Sequence, residues 1–337
     1  MERPSFNWKR PLLLYLLTWV TTSGFRLEDG YFIYQFFLAI MTTPLNPQLA
    51  AEEWSLFMRM FSSGMQYSAA LMLILTCHEF GHYFQMRRYR ISGSLPYFIP
   101  MPFGPIGTLG AVIAMDGRIP NRRALFDIGV SGPLAGLVPT MFCLYYGIKW
   151  SHVGPISGGG SAALEFGEPL LFQWYSWWIY GPLPGDMTLF MHPVAKAAWV
   201  GLLLTSLNLM PFSQLDGGHV FYALLGPRAE RYSWGLFSAI ILLVAFNWST
   251  LWHWTLILIL LGYIGVSHPP TADDRIPLTS FRRLLGCCTL GFIILGFTPV
   301  PIVVNESDSN PQPPHWYCMV PTDDENVFSL TFDNSTV

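Results

Sequence analysis

The chain has 337 residues, of which 52% are hydrophobic and only 12% are charged, and its formal net charge is −3. Soluble domains contain about a quarter of charged residues, so this composition excludes an ordinary soluble protein and predicts a multi-pass membrane protein. Nothing in the charge balance predicts a nucleic-acid partner. The five cysteines form neither a disulfide framework nor a C-x-x-C metal site.

Residues 1–61 are expected to contain a first membrane span and an interfacial segment. Three basic residues precede an apolar run at 11–25, namely Arg3, Lys9 and Arg10. Small residues at 21–24 would suit a cleaved signal peptide, but the A-x-A pattern is missing, which favours a retained span. Residues 31–43 are apolar but too short to cross a bilayer, and they predict an interfacial or re-entrant helix.

Residues 62–225 are expected to form the membrane core that carries the chemistry. The predicted spans are 62–86, 124–148 and 187–210, separated by loops at 87–123 and 149–186. The first loop contains six arginines. Gly132 and Gly136 lie four residues apart in the second of these spans, a spacing that predicts close helix packing.

Residues 226–304 are expected to hold the C-terminal spans, with a helical hairpin formed by 234–248 and 251–266 and a last span at 284–304. The prediction is an all-α polytopic membrane protein with about seven transmembrane helices. Most basic residues then fall on the side of the N-terminus, so the positive-inside rule predicts a cytosolic N-terminus. The polar tail 305–337 contains no Lys or Arg and is expected outside.

The sequence His78-Glu79-Phe80-Gly81-His82 lies within an apolar helical run. Residues four apart share one helix face, so both imidazoles can bind one metal ion, while the Glu79 carboxylate can take a proton from water. Two packed histidines and a surface glutamate would be a reasonable alternative in a soluble protein. Residues 69–76 just before the motif are almost wholly apolar, however, and ionisable groups at membrane depth are usually functional.

A catalytic zinc site needs a third protein ligand and an open position. Asp216 ends a later apolar helix, and in the predicted topology that helix and the helix of His78 both run toward the cytosol. The glycines at 217 and 218 allow the backbone to turn and approach closely. On local sequence alone, a helix-end aspartate in a glycine turn is the alternative interpretation.

Several segments together resemble the site-2 protease family of intramembrane zinc metalloproteases. They are HEFGH at 78–82, NLMPFSQLDGGH at 208–219, PYFIP at 96–100, GTLGAVI at 107–113 and NRRALFDIGVSGPLAG at 121–136. The resemblance covers about residues 65–225. Loop 149–186 is too short for the PDZ domain that many members insert, which leaves the mode of substrate selection open.

The resemblance implies one zinc ion bound by His78, His82 and Asp216, with Glu79 as the general base. It also implies that Asn208 holds the substrate backbone or the developing oxyanion. His219 matches the family motif as well, and a supporting role beside the ligands is favoured over ligation. The implied activity is that of an intramembrane zinc metalloendopeptidase near the cytosolic face, which cleaves transmembrane protein substrates within the lipid bilayer.

The cytosolic loop segment 91–118 is expected to form a small membrane-associated β element. It combines four prolines with the run 107–113, which is rich in glycine and β-branched residues. A substrate helix must be unwound before attack, and pairing the extended peptide with a strand edge offsets that cost. A linker rich in proline and glycine is the alternative interpretation.

Two rival functions remain at this stage. The first is a membrane zinc protease of another type, which takes its third ligand from a glutamate on a later helix. The later glutamates are all expected in loops or the tail: Glu165, Glu168, Glu230, Glu306 and Glu325. The second is a non-catalytic relative or a transporter with a closed, four-ligand metal site that includes His219. Structural roles are expected for the remaining histidines, His152, His192, His253, His268 and His315.

Overall fold

The computed structural model describes residues 8–24, 30–44, 46–102, 106–115, 119–155, 164–185 and 187–304. These residues form eleven α-helices and six short β-strands. The helices are α1 Lys9–Thr22, α2 Gly30–Thr42, α3 Pro47–Arg88, α4 Arg122–Lys149, α5 Leu170–Tyr180, α6 Pro193–Asn208, α7 Asp216–Leu225, α8 Ala229–Phe246, α9 Trp248–Leu251, α10 Thr255–Ile264 and α11 Ser280–Gly296. The strands are β1 Tyr97–Pro100, β2 Thr108–Val112, β3 His152–Pro155, β4 Leu164–Phe166, β5 Met187–Phe190 and β6 Ile302–Val304.

Helix α3 is much longer than the span predicted at 62–86. It has 42 residues and a length of about 63 Å at 1.5 Å per residue. The Asn46 side chain accepts hydrogen bonds from the backbone N–H groups of Gln48 and Leu49, and Pro47 occupies the first turn, so the helix begins with a complete cap. Helix α2 packs against its N-terminal part. The helix expected at 31–43 is confirmed by α2, which extends over Gly30–Thr42.

Three helical stretches are long and apolar enough to cross a membrane: Pro47–Arg88, Arg122–Lys149 and Asp216–Phe246. The protein is therefore a mostly helical membrane protein, but the predicted count of seven spans is not confirmed. Helices α1, α6 and α11 have 14, 16 and 17 residues, whereas about 20 are needed to cross a bilayer. The predicted span 187–210 divides into β5 and α6. The tail 305–337 lies outside the described residues.

Helix α6 lies in the centre of the molecule. Eleven of its 16 residues are buried, and it packs against α3, α4 and α11. Helix α4 in turn contacts α3, α6 and α7. The short apolar helix α6 is thus surrounded by protein, which explains why it does not need the length of a lipid-spanning helix.

Strands β1 and β2 form an antiparallel hairpin in the segment where a β element was predicted, 91–118. Its tip contacts two helices, because the Tyr67 hydroxyl donates to the Ile106 carbonyl over 3.0 Å and the Thr21 hydroxyl donates to the Gly107 carbonyl over 2.8 Å. Tyr67 precedes His78 by about 16 Å along α3. The hairpin therefore runs back alongside α3 instead of staying at its end.

The remaining elements surround this core. The segment predicted as a loop, 149–186, contains α5 and two strands, and it forms sheets through the pairs β3–β5 and β4–β6. The hairpin predicted at 234–266 is confirmed, with Phe237 of α8 packed in one cluster with Leu261 and Val266. Helix α8 begins at Ala229, earlier than expected.

Candidate metal centre

Three side chains that were predicted as metal ligands lie together. His78 and His82 come from adjacent turns of α3, and Asp216 is the first residue of α7. The Nε2 atom of His78 lies 3.0 Å from Oδ2 of Asp216, and the Nε2 atom of His82 lies 3.2 Å from Oδ1. The two Nε2 atoms are 3.2 Å apart. Among the described residues, this is the group of side chains that could hold a metal ion.

The spacing of these atoms fits a zinc ion. An ion bound tetrahedrally at about 2.0–2.1 Å from each ligand would separate neighbouring ligand atoms by about 3.3 Å. The observed separations of 3.0 to 3.2 Å are close to that value. A buried carboxylate also needs a positive partner, which a metal ion or a protonated imidazole can supply at these distances.

The orientation of His82 is fixed by α4. Its Nδ1 atom lies 2.8 Å from the carbonyl oxygen of Ile128, which can only accept, so Nδ1 carries the hydrogen and Nε2 is left for the metal. A Cβ atom at Gly132 would lie 1.9 Å from His82 Nε2, and one at Gly136 would lie 3.0 Å from His78 Cβ. The close packing predicted from Gly132 and Gly136 is confirmed, and it occurs directly against the ligands.

Asp216 was expected at the end of an apolar helix, but it begins α7 and is placed by the turn that follows the end of α6 at Asn208. A Cβ atom at Gly217 would lie 1.8 Å from the carbonyl oxygen of Leu209, and one at Gly218 would lie 2.3 Å from that of Ser213. Only glycine permits this close approach of the backbone. The glycine pair that follows Asp216 therefore has the role that the sequence predicted.

Glu79 and Asn208 line one cleft beside the histidines. Glu79 is buried, with 6% of its surface exposed, and Asn208 is the last residue of α6. The cleft has an empty volume of about 410 Å³, including space open to solvent. It is lined by Ile74, Leu75, His78, Glu79, Leu109, Gly110, Ala111, Gly201, Leu204, Thr205 and Asn208. Strand β2 thus lies across the cleft from α6, next to the predicted base.

An ion pair that the sequence did not predict lies next to Ile128. The Arg282 guanidinium donates to both carboxylate oxygens of Asp127 over 2.7 and 2.8 Å, and the Tyr89 hydroxyl donates to the same carboxylate over 2.6 Å. Burial, followed by this hydrogen bond, raises the pKa of Tyr89, which keeps the phenol protonated as a donor. The three side chains join the end of α3 to α4 and α11. The one feature of the sequence that could have indicated this ion pair is Asp127, an acidic residue inside a predicted apolar span.

His219 is buried one turn after Asp216 on α7, and it is not a member of the ligand group. Its Nδ1 atom lies 2.6 Å from Nε2 of His268, a residue for which only a structural role was expected. The sequence contained no spacing signal for this pair, because the two histidines are 49 positions apart.

The glutamates considered as an alternative third ligand lie elsewhere, as far as the structure describes them. Glu230 was expected in a loop but lies in the first turn of α8, where it is exposed and accepts a hydrogen bond from Ser267. Glu165 was also expected in a loop and lies in β4. The described part of the chain therefore supports aspartate as the third member of the group.

A helical membrane core that encloses two histidines, an aspartate and a neighbouring glutamate has the arrangement of a metal-dependent hydrolase. Residues 66–246 match the family model described as Peptidase family M50. This match extends over more than half of the chain, and the chain belongs to that family.

Relatives in two plants carry related names. The chain is 26% identical over 264 residues to "Probable zinc metalloprotease EGY2, chloroplastic" of Arabidopsis thaliana, which covers 74% of the chain and 46% of that protein. It is 28% identical over 183 residues to "Probable zinc metalloprotease EGY1, chloroplastic" of Oryza sativa subsp. japonica, which covers 52% of the chain and 31% of that protein. The chain spans less than half of the length of each of these relatives. No solved structure matches the chain.

Proposed function

We propose that the protein is an intramembrane zinc metalloprotease that hydrolyses peptide bonds in or near the transmembrane segments of membrane-protein substrates. One observation carries the proposal: the group His78, His82 and Asp216 adjoins a cleft that is also lined by Glu79 and the strand β2. Family membership and the names of the relatives support it.

His78, His82 and Asp216 would hold the ion, and the residues around them carry out proton transfer. When bound there, zinc would supply Lewis acidity beside the carbonyl to be attacked and would lower the pKa of water toward about 7. The Glu79 carboxylate accepts the proton of the attacking water and returns it to the leaving amine, as general base and then general acid. Burial next to the ligands brings this carboxylate within the cleft and away from bulk solvent.

The substrate lies extended between β2 and α6. A peptide bond within a membrane helix is shielded by its own hydrogen bonds, and pairing with the edge of β2 that no other described strand occupies replaces those bonds after unwinding. Leu109, Gly110 and Ala111 provide this edge on one side of the cleft. The Asn208 side chain, on the other side, donates to the backbone or to the developing oxyanion of the substrate.

We further propose a cytosolic N-terminus, an outside C-terminus and an active site near the cytosolic face. His82 precedes Arg88 by only about 9 Å along α3. Arg87, Arg88 and Arg90 are exposed at this end of the helix. A concentration of basic side chains marks the cytosolic side of a membrane protein.

The two rival functions are less well supported. A closed structural site would need a fourth protein ligand, and the group described by the structure has three members. His219, the residue considered for that position, is not a member of this group, although its Nδ1 bond to His268 would leave Nε2 free. An open fourth position beside a carboxylate that can act as a base is what a hydrolase requires.

The test uses the full chain in lipid nanodiscs with a transmembrane peptide substrate. The variant Glu79→Gln should retain one zinc ion per chain and lose cleavage by about 10²–10⁴-fold, the usual contribution of a general acid–base group. Glu52→Gln is the matched control, because Glu52 is an exposed residue of the same helix. Cleavage that persists in Glu79→Gln, or a wild-type protein that binds zinc and cleaves nothing, would contradict the proposal.

A further inference from the structure

The segment 265–279, which joins α10 to α11, packs beside α7, the helix that begins with Asp216. The backbone N–H of Ser213 donates to the Val266 carbonyl over 2.8 Å, which fixes the segment to the turn before α7. The N–H groups of Ala272 and Asp273 donate to the carbonyls of Ile119 and Pro120, next to the start of α4. His268 lies between these two attachment points.

The hydrogen bonds of His268 determine the tautomers of both histidines. Its Nδ1 atom lies 2.6 Å from the Pro269 carbonyl oxygen, which accepts only, so Nδ1 carries a hydrogen. Burial lowers the pKa of His268, although the Pro269 carbonyl and the charge of Asp274 act in the opposite direction. In the neutral ring Nε2 is an acceptor, and it receives the Nδ1 hydrogen of His219 over 2.6 Å.

The ring of His268 is held from a second direction by Tyr222. The two ring centroids are 4.9 Å apart with an interplanar angle of 31°. The Tyr222 hydroxyl donates to Asp274 over 2.6 Å, and Asp274 also accepts from Thr271 over 2.6 Å. The acceptor nitrogen that faces His219 is thus fixed in position by Pro269 of its own segment and by Tyr222 of α7.

His219 connects this segment to the ligand Asp216. The two residues are one turn apart on α7, and His219 is buried with 8% of its surface exposed. On the opposite side, a Cβ atom at Gly129 of α4 would lie 2.9 Å from His219 Cβ and 3.2 Å from the Asp216 carbonyl oxygen. The first turn of α7 is therefore enclosed between α4 and His268.

We infer that His268 is a positioning residue for the metal centre: by accepting the Nδ1 hydrogen of His219, it holds the first turn of α7 at the angle at which both Asp216 oxygens face His78 and His82. The inference rests on the proposed function, because it assumes that Asp216 binds the ion. Residues that orient metal ligands typically change metal affinity by about 10–100-fold when replaced.

The test measures the binding and visible absorption of Co²⁺ in the purified full chain, because the cobalt spectrum reports the geometry of the ligands without any need for activity. His268→Phe keeps a ring against Tyr222 and removes the acceptor, so it should weaken cobalt binding by about 10–100-fold and change the spectrum. The glutamine side chain in His268→Gln can still accept a hydrogen bond from His219 and donate one to Pro269. This variant should therefore have a cobalt affinity and a spectrum near those of the wild type.

Ser267→Ala is the matched control in the same segment. It removes the hydrogen bonds that Ser267 makes with Trp234 and Glu230, neither of which reaches His219. We expect its cobalt affinity and spectrum to equal those of the wild type. Equal losses in Ser267→Ala and His268→Phe, an unchanged His268→Phe protein, or a Gln variant as weak as the Phe variant would each overturn the inference. A wild-type protein that binds no cobalt would instead contradict the proposed function.

Discussion

The imidazole of His82 and the backbone of Gly132 are in direct contact, with no space for a methyl group between them. A Cβ atom at position 132 would lie 1.9 Å from His82 Nε2, the atom that faces the other ligands. Gly132→Ala must therefore displace either the ring or helix α4. We expect zinc affinity to fall by more than about tenfold, with a loss of cleavage to match.

Zinc content after dialysis against a competing chelator checks this prediction. Gly291→Ala is the control, because Gly291 lies in helix α11 and a Cβ atom there would meet nothing within 4 Å. Alanine favours a helix over glycine by about 1 kcal/mol, so the control should be neutral or slightly stabilising. Equal zinc retention in both variants would show that α4 can move aside at no cost.

Strand β2 depends on an unusual backbone conformation at Gly110. Its φ angle is +92°, and its N–H donates to the Thr108 hydroxyl over 3.0 Å. Alanine at this position is strained by about 1–2 kcal/mol, and relief of that strain moves the edge that we propose for substrate pairing. Gly110→Ala should lower kcat/KM for a transmembrane peptide by at least about tenfold, with zinc content unchanged.

Gly181→Ala separates strain from recognition. Gly181 also has a positive φ angle, +74°, and open space around its Cβ position, but it ends helix α5 and does not line the cleft. The two variants should lose similar thermal stability, and only Gly110→Ala should lose activity. A similar loss of kcat/KM in both would argue against a role for β2 in substrate binding.

The pair Asp127–Arg282 should contribute to stability, because it joins two helices in an apolar surrounding. Arg282→Met leaves the Asp127 carboxylate, whose side chain is only 13% exposed, without its cation. Because Arg282 itself is 29% exposed, we expect a destabilisation of about 1–3 kcal/mol, less than for a fully buried pair. Thermal unfolding in detergent should show a lower Tm.

Two further variants test the origin of that loss. Addition of Asp127→Asn to Arg282→Met removes the stranded charge and should recover part of the Tm. Arg283→Met changes the neighbouring exposed arginine and should leave the Tm within experimental error. If Arg283→Met destabilises the protein as much as Arg282→Met does, general surface charge and not the pair accounts for the effect.

Removal of the metal should lower both activity and stability. An ion that binds only the folded protein stabilises it by about 4 kcal/mol at a thousand times its Kd, so a chelator should lower the Tm and zinc should restore it. Asp216→Asn loses a charged ligand, and chelation should change its Tm little. A chelator-induced shift of the same size in Asp216→Asn and the wild type would place the stabilising ion elsewhere.

Local spacing was sufficient to group three of the five candidate site residues. His78, Glu79 and His82 are neighbours on one helix, so their proximity follows from helical periodicity alone. The prediction that Asp216 lies beside these residues depended in addition on the resemblance to a family and on the expected direction of two helices. The four-residue spacing of Gly132 and Gly136 predicts close helix packing. It does not predict that the packing partners are the histidines, because the helix that lies against a given face is decided by the tertiary fold.

Other features could not be read from the sequence for definite physical reasons. The apolar run of α6 has the same pattern whether lipid or protein surrounds it, so the predicted span at 187–210 does not correspond to one continuous helix. Asp127 and Arg282 are 155 positions apart, and the pairing of such residues depends on helix placement. The same holds for His219 and His268, which are 49 positions apart.

Helix α1 contains none of the residues assigned to chemistry, and it precedes the region matched by the family model, which begins at residue 66. Yet Thr21 bonds the tip of the β1–β2 hairpin, and Ser23 packs so closely on Gly64 that a Cβ atom there would lie 2.0 Å from the Ser23 carbonyl oxygen. A truncated protein that starts at the family boundary would keep every metal ligand and lose this support of the hairpin tip. If the proposed function holds, we expect such a truncated protein to bind zinc normally and to recognise its substrates poorly.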